Sequence, residues 1–389
     1  MPTLFIWLLG LVFAVVILTF IFDISQSKNA ILRNYPVVGH FRYLFSTLGE
    51  FFRQYFFAMD REEMPFNRAE RQWVNRASEN KSNTIAFGST KNINTPGTAI
   101  FINCPFPTLD SDAVETKTVI IGEGYSSNPY AAKSIFNISG MSFGAISKPA
   151  VLALSNGARM AGCWMNTGEG GISPYHLEGG ADLVFQIGTA KYGVRNDDGS
   201  LSDEKLANIA TRDQVKMFEL KVSQGAKPGK GGILPGIKVT KQISEIRGIP
   251  KGEDSISPNR HVEVSNASEL LDMINHVREV TQKPVGFKTV IGHIRWLEAL
   301  LEEVNKRGKD SAPDFITVDG GDGGTGAAPM ALMDSMGLPL KEALPLVVDK
   351  IMQCGLEDRI KVVASGKMIT PSDVAWAICA GADFVTSAR

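Results

Sequence analysis

Five short runs carry the residues of this chain whose types and spacing suit chemistry: Ser139-Gly140-Met141-Ser142-Phe143-Gly144, Gly168-Glu169-Gly170-Gly171, Gln224-Gly225-Ala226-Lys227-Pro228-Gly229, Asp319-Gly320-Gly321-Asp322-Gly323-Gly324-Thr325-Gly326 and Ser365-Gly366-Lys367. Glycine lets backbone approach a ligand closely, and several amides aimed at one point hold an anion. One such run also makes an ordinary tight turn, so the weight lies in their number. Gly366 and Lys367 lead into a helix start at Thr370, and Ser387 and Arg389 follow a further apolar segment. That pattern suits a phosphate grip, with solvated surface charge the plain alternative for Lys367 and Arg389. Lys288 stands inside the apolar segment Val285-Gly286-Phe287-Lys288, where an inward ammonium needs an anion beside it. A phosphate-bearing cofactor is the natural guest of such a set.

Residues so far apart in sequence meet only if the scaffold brings many loops to one rim. From about Ser134 the chain repeats a short apolar run, a Gly-rich or polar turn and a helical stretch, the mark of parallel β/α architecture. Candidate strands are Ile135-Phe136-Asn137-Ile138, Cys163-Trp164-Met165-Asn166, Leu183-Val184-Phe185-Gln186, Met217-Phe218-Glu219-Leu220-Lys221, Val285-Gly286-Phe287-Lys288, Phe315-Ile316-Thr317-Val318, Ile360-Lys361-Val362-Val363-Ala364 and Asp383-Phe384-Val385-Thr386. Eight such units over roughly 250 residues predict an α/β fold, a (β/α)₈ TIM barrel, whose chemistry sits at the C-terminal ends of the strands. Helices are expected over 267–282, 295–309 and 340–354 from apolar residues at three- and four-residue spacing, and from Pro371 to a stop at Gly381. The stretch from Gly225 to Asn266 reads as a long functional loop. No helix follows the eighth strand, so a fragment or truncated chain is expected.

At 389 residues, 44% hydrophobic, with a net charge of −1, the chain has no basic field for nucleic acid. Cys104, Cys163, Cys354 and Cys379 lack CxxC spacing, which argues for reduced, mostly buried thiols and against a metal site. Leu4 to Phe22 is free of charge and long enough to cross ~30 Å of hydrocarbon. No cleavage signal surrounds it, so the sequence predicts an uncleaved N-terminal transmembrane helix. Lys28, Arg33, Arg42 and Arg53 all follow it, which places the body in the cytoplasm. The aromatic and basic residues between 29 and 80 suit either a helix at the membrane surface or one packed on the domain below. The expected organisation is an anchor over 1–25, a helical or irregular lead-in over 26–117 and a barrel over 118–389.

Met141-Ser142-Phe143-Gly144-Ala145-Ile146-Ser147, Asn166-Thr167-Gly168-Glu169-Gly170-Gly171, Gln224-Gly225-Ala226-Lys227-Pro228-Gly229, Leu234-Pro235-Gly236 and Asp322-Gly323-Gly324-Thr325-Gly326-Ala327, in this order, resemble the signature set of the glutamate synthase flavin domain. The resemblance covers about Thr118 to Arg389, and the anchor makes the chain similar to a membrane-tethered branch of that family. It implies an FMN barrel that reduces 2-iminoglutarate, made from 2-oxoglutarate and ammonia, to L-glutamate. On the resemblance, Gln224 and Lys227 hold the 2-oxo acid, Glu169 sits in its pocket as a catalytic or structural carboxylate, and Lys288 lies by the flavin ring. FMN would be held by Ser139, Gly140, Met141, Ser142, Asn166, Lys288, Asp322, Gly323, Gly324, Ser365, Gly366, Lys367, Thr386, Ser387 and Arg389. Complete glutamate synthases also carry a glutaminase domain and, just after the eighth strand, three cysteines for an iron–sulfur cluster. Neither is present here, so the ammonia source and the electron donor stay open, and a cluster would belong to a longer chain.

Two rival readings share the barrel. One uses another amine, such as methylamine in an N-methylglutamate synthase type of reaction, and the other is a non-catalytic flavin-binding protein tethered to the membrane. A 2-hydroxyacid oxidase is disfavoured, because its catalytic histidine follows a late strand and the last histidine here, His293, follows the fifth.

Overall fold

The computed structural model describes residues 2–26, 29–52, 55–56, 61–86 and 88–388. Lys28, Arg53 and Arg389 lie outside the described residues. Two compact units make up the chain, residues 1–100 and 101–389.

In the first unit, α1 (Pro2–Ser25) is long and apolar enough over Leu4–Ser25 to cross a membrane. Its large side chains from Leu4 to Ile24 are exposed, as expected of a helix apolar all round. It is followed by α2 (Ala30–Asn34), α3 (Gly39–Phe52) and α4 (Arg68–Ser78). Asn67 caps α4 by accepting from the Glu70 amide, while the Glu70 carboxylate accepts from the Asn67 amide.

The second unit opens with an antiparallel hairpin of β1 (Val119–Ile121) and β2 (Tyr130–Ala132). A closed barrel follows: β3 (Phe136–Ile138), β4 (Met165–Asn166), β5 (Leu183–Ile187), β6 (Val215–Lys221) and, beyond a second small hairpin of β7 (Ile233–Leu234) and β8 (Ser255–Ile256), β9 (Val285–Thr289), β10 (Phe315–Asp319), β11 (Lys361–Ser365) and β12 (Phe384–Ser387). All eight barrel strands pair in parallel, and β12 pairs with β3 to close the ring. The helices after β1 are α5 (Lys148–Ala161), α6 (Pro174–Glu178), α7 (Asp203–Ala210), α8 (Lys241–Arg247), α9 (Ala267–Thr281), α10 (Arg295–Arg307), α11 (Met330–Met333), α12 (Leu340–Gln353) and α13 (Pro371–Cys379). Every expected barrel strand forms, with ends shifted by a residue or two.

Strand residues two apart share a face. Leu183, Phe185 and Ile187 of β5, with Phe218, Leu220, Phe287, Ile316 and Val318, point outward into a core shared with α7, α9, α10 and α12. Val184, Met217, Phe315, Val363 and Phe384 point inward and join Trp164, Ile121, Tyr130 and Ala132 in a second cluster. The β1–β2 hairpin therefore plugs the N-terminal mouth of the barrel. Burial on both faces is why these strands read as apolar runs without clean alternation. Just below β10, the buried Asp314 carboxylate binds Arg278 Nε at 3.0 Å and Arg359 Nη1 at 2.9 Å, and accepts from the Val285 amide.

Two expectations are corrected. Among the four cysteines only Cys163 is buried, while Cys354 is half-buried and Cys104 and Cys379 are exposed. A lone cysteine is compatible with either environment and carries no periodic signal. The segment from Gly225 to Asn266 is not one open loop: it folds into β7, α8 and β8, with Ile243 and Val239 packed beside Tyr192.

Candidate active site

On β6 the two-residue period sends Met217, Glu219 and Lys221 inward at rising levels. Glu219, 3% exposed, is the hub of the middle layer. Its carboxylate accepts from Asn166 Nδ2 at 2.8 Å, Gln186 Nε2 at 2.6 Å and Thr317 Oγ1 at 2.7 Å, which ties β4, β5 and β10 to β6. Three donors offset the desolvation of a buried carboxylate and lock the Asn166 and Gln186 amides. Ser139, Asn166, Glu219, Lys288, Thr317 and Thr386 form the polar wall of a recess floored by Trp164, Val184, Met217, Phe315 and Val363. The Thr386 hydroxyl oxygen is buried in that recess without a hydrogen-bond partner.

Above this layer, Lys288 Nζ lies 3.4 Å from Asp319 Oδ2. Asp319 also accepts from the Gly225 amide at 2.8 Å and from Ser365 Oγ at 2.9 Å. The anion that the inward lysine requires is thus supplied by β10. Gly225 is required by packing, since a Cβ there would fall 1.9 Å from the Gly320 carbonyl oxygen. Only glycine lets the run from Gln224 to Lys227 lie on the turn after β10.

Neighbouring turns close the same side. The Gly320 amide donates to the Ser365 carbonyl at 2.8 Å, and Ser387 Oγ donates to the Met368 carbonyl at 2.7 Å. The runs after β10, β11 and β12 are therefore adjacent, and α13 starts beside them, with the Thr370 amide donating to the Asp373 carboxylate at 2.9 Å. Gly323, Gly366 and the half-buried Lys367 lie in these turns, while Gly324 is exposed. Asp322 faces the other way and accepts from the Leu340 amide at the start of α12. Ser139, Gly140, Met141 and Ser142 follow β3; a Cβ on Gly168 (φ 65°) would come 2.6 Å from the Ser142 nitrogen, so this turn and the Glu169 turn touch.

A second group of charges stands over β4 and β6. Glu169 Oε1 pairs with Lys221 Nζ at 2.8 Å. Burial pushes the Glu169 pKa up, but Lys221, Lys227 and Arg247 outweigh it and hold the carboxyl below its usual range. Burial and the Lys221 ammonium lower the Lys227 pKa, with Glu169 opposing them. Arg247, from α8, is buried; its Nη2 donates to the Phe143 carbonyl, its guanidinium lies 5.0 Å above the Tyr192 ring, and its Nε has no partner. Beside them His261 Nε2 lies 3.1 Å from the Lys221 carbonyl, and burial pushes its pKa down to about 4. Among the described residues, neither Lys227 nor Arg247 forms an ion pair within 4.0 Å, so this group carries uncompensated positive charge.

Gln224 is half-buried, one residue before the Gly225 contact. Of the residues singled out from the sequence, Ser139, Asn166, Lys288 and Thr386 line the recess, while Glu169 and Lys227 belong to the second group of charges. Sequence reasoning passed over Glu219, Lys221, Arg247 and His261, and took Asp319 only as the first residue of a glycine-rich run. Glu219 and Lys221 carried a signal, as charges two apart in an apolar strand; Arg247 and His261 come from the long segment and carried none.

A family model described as a conserved region in glutamate synthase matches residues 75–389. The chain belongs to the glutamate synthase family. The match begins ahead of Thr118, where the motif resemblance starts. Among curated relatives, the glutamate synthase large subunit-like protein YerD of Bacillus subtilis is 41% identical over 95% of this chain and 77% of its own length. The archaeal-type glutamate synthase [NADPH] of Thermotoga sp. is 35% identical over 63% of this chain, which spans only 45% of that protein. The glutamate synthase large subunit-like protein of Rhizobium meliloti is 31% identical over 69% of this chain and 57% of its own. Among solved structures, mandelate oxidase with (S)-4-hydroxymandelic acid aligns at a TM-score of 0.42 and 17% identity over 66% of this chain and 67% of that one. In this member of the glutamate synthase family, the glycine-rich runs after β4, β10 and β11 are the turns that bring Glu169, Asp319 and Ser365 to one rim.

Proposed function

We propose that this chain is an FMN-dependent oxidoreductase of glutamate synthase type, reducing 2-iminoglutarate, formed from 2-oxoglutarate and ammonia, to L-glutamate. The observation that carries the reading is the pairing of two adjacent sites: a recess with a buried cation and an unpartnered hydroxyl, and beside it a buried surplus of positive charge. The first suits a flavin, with Lys288 by the ring, Ser139, Asn166 and Thr386 as polar contacts, and the Gly366–Lys367 and Ser387 turns toward the phosphate. When bound, FMN supplies the hydride. Lys288, oriented by Asp319, would set a positive charge beside the reduced ring. Lys227 and Arg247 offer charge-assisted donors to the two carboxylates of the 2-oxo acid, Gln224 adds an amide, and Glu169 orients Lys221.

In this reading α1 is a single-pass anchor over residues 1–25, residues 26–117 are a lead-in, and the barrel over 118–389 works on the cytoplasmic side. Electrons arrive from a donor protein or reductase, and an iron–sulfur cluster would need a longer chain. The test is an anaerobic visible spectrum of the purified protein, chemically reduced and then mixed with 2-oxoglutarate and ammonium. Reoxidation only with both, with glutamate formed, is the expected result. Reoxidation with methylamine instead of ammonium would move the chain to the N-methylglutamate type. Flavin that stays reduced with either amine would leave a binding protein, and absence of flavin would overturn the proposal.

A further inference from the structure

Positions 41, 44, 45, 48, 51 and 52 of α3 follow helical spacing and form one stripe. They are Phe41, Leu44, Phe45, Leu48, Phe51 and Phe52, and every one is exposed, from 38% for Leu48 to 65% for Phe45. Gly39 and Tyr43 lie opposite it, with His40 and Arg42 on its flanks. A soluble helix buries such a stripe; here all six side chains stay exposed, with the rings of Tyr55 and Phe56 against its last turn.

What fixes its place is the corner between α1 and α3. Asp23 is the one charged residue of the apolar helix, and its carboxylate is fully buried there. It accepts from the Val37 amide at 2.8 Å and contacts His40 Nε2 at 3.0 Å. Gln26 Nε2 donates to the Asp23 and Asn29 carbonyls, and Asn29 Nδ2 donates to the Tyr43 hydroxyl at 2.8 Å. The start of α3 is therefore tied to the last turn of α1. Leu4 to Phe22 rises ~28 Å at 1.5 Å per residue, about the hydrocarbon thickness. Asp23, and with it the start of α3, then stands at the edge of the apolar layer.

We propose that α3 is a lipid-surface helix: it lies in the membrane interface with the Phe41–Phe52 stripe inserted among the acyl chains, and the Asp23–Val37–His40 corner sets its depth. This rests on reading α1 as the anchor. Phenylalanine and leucine on one side with a short polar side suit that boundary. The described polar side chains on α3 include only Arg42 as a fixed cation, so apolar insertion, rather than attraction to anionic lipid, is the dominant contribution.

The test uses the full chain reconstituted in phosphatidylcholine vesicles, with a photoactivatable phenylalanine analogue placed singly at Leu11, Phe45 or Thr47. Lipid adducts at Leu11 and Phe45 but not at Thr47 are expected. Lipid adducts at Leu11 with protein adducts at Phe45, to this chain or to another copy, would overturn the surface helix and leave the anchor standing. Lipid adducts at Phe45 without any at Leu11 would remove the anchor and keep the surface helix. Adducts at neither overturn both. A second variant, Asp23→Ala, is expected to spread the lipid adducts to Thr47 by freeing the corner, and an unchanged pattern would remove Asp23 as the depth gauge.

Discussion

At the N-terminal end of the barrel, Asp314 satisfies two buried arginines and a backbone amide at once, and Arg359 in turn donates to the Ala312 and Pro313 carbonyls and covers Tyr125. At the C-terminal end Glu169 holds Lys221, while Lys227 and Arg247 stand buried beside it without an ion pair among the described residues. Both ends sequester charge, and they differ in whether the partners are already inside the protein. A saturated cluster has no capacity left for a guest and stabilises its fold mainly by never being broken. A cationic surplus in low dielectric costs stability, and that cost is offset when an anion binds. The lower end holds the barrel shut, and on the proposed function the upper end is completed by a ligand.

The largest effect that would break this contrast is at the lower end. Asp314→Ala strands Arg278 and Arg359 and is expected to cost ~3–5 kcal/mol, read as a lower urea midpoint; an unmoved midpoint would mean the cluster is not saturated as described. At the upper end, Lys288→Met is expected to lower the midpoint potential of bound flavin and slow turnover by ~10²–10³-fold. A redox titration giving the wild-type potential would remove Lys288 from the flavin site.

Acid should also separate the ends. His176 Nδ1 accepts from the Ser173 amide, its Nε2 donates to the Met141 carbonyl at 3.2 Å, and burial pushes its pKa from the ordinary 6.5 down to about 4. The folded state then refuses a proton that the unfolded chain takes, so stability present above pH 6.5 is lost as pH falls toward 4, by roughly 3 kcal/mol for this residue. Hydrogen exchange between pH 7 and 4.5 should loosen residues 139–144 and 173–178 before residues 278–285 and 312–315; loosening in the reverse order would contradict the assignment. The smallest effect is Lys227→Met, which removes one charge-assisted bond, ~1.5–3 kcal/mol. KM for 2-oxoglutarate should rise by at least ~10-fold, without a change in flavin potential. Because burial lowers the Lys227 pKa, affinity for the acid should decline with rising pH earlier than an ordinary lysine would dictate, and Lys227→Met should flatten that limb.

Much of the barrel was legible because its strands are buried on both sides and its turns are glycine-rich, so the eight apolar runs stand out without any knowledge of their partners. The β1–β2 plug was not: Val119 to Ala132 offers only two three-residue strands, and their value lies in filling a mouth that exists only once the ring has closed. Glycines 168 and 225 were recognisable as a class of residue, yet what each must admit, the Ser142 nitrogen and the Gly320 carbonyl, lies on another loop.

By itself the sequence determined the period, the number of units, the apolar helix at the start and the set of polar residues at strand ends, because these follow from local spacing and side-chain solubility. Tertiary structure alone decided which charges are answered. Lys288 is paired because β10 places Asp319 next to β9, and Arg247 has no ion pair among the described residues because α8 delivers it near Glu169 from a segment that reads as open loop. Electrostatic energy depends on separation in space and on exclusion of water, and neither is written in separation along the chain.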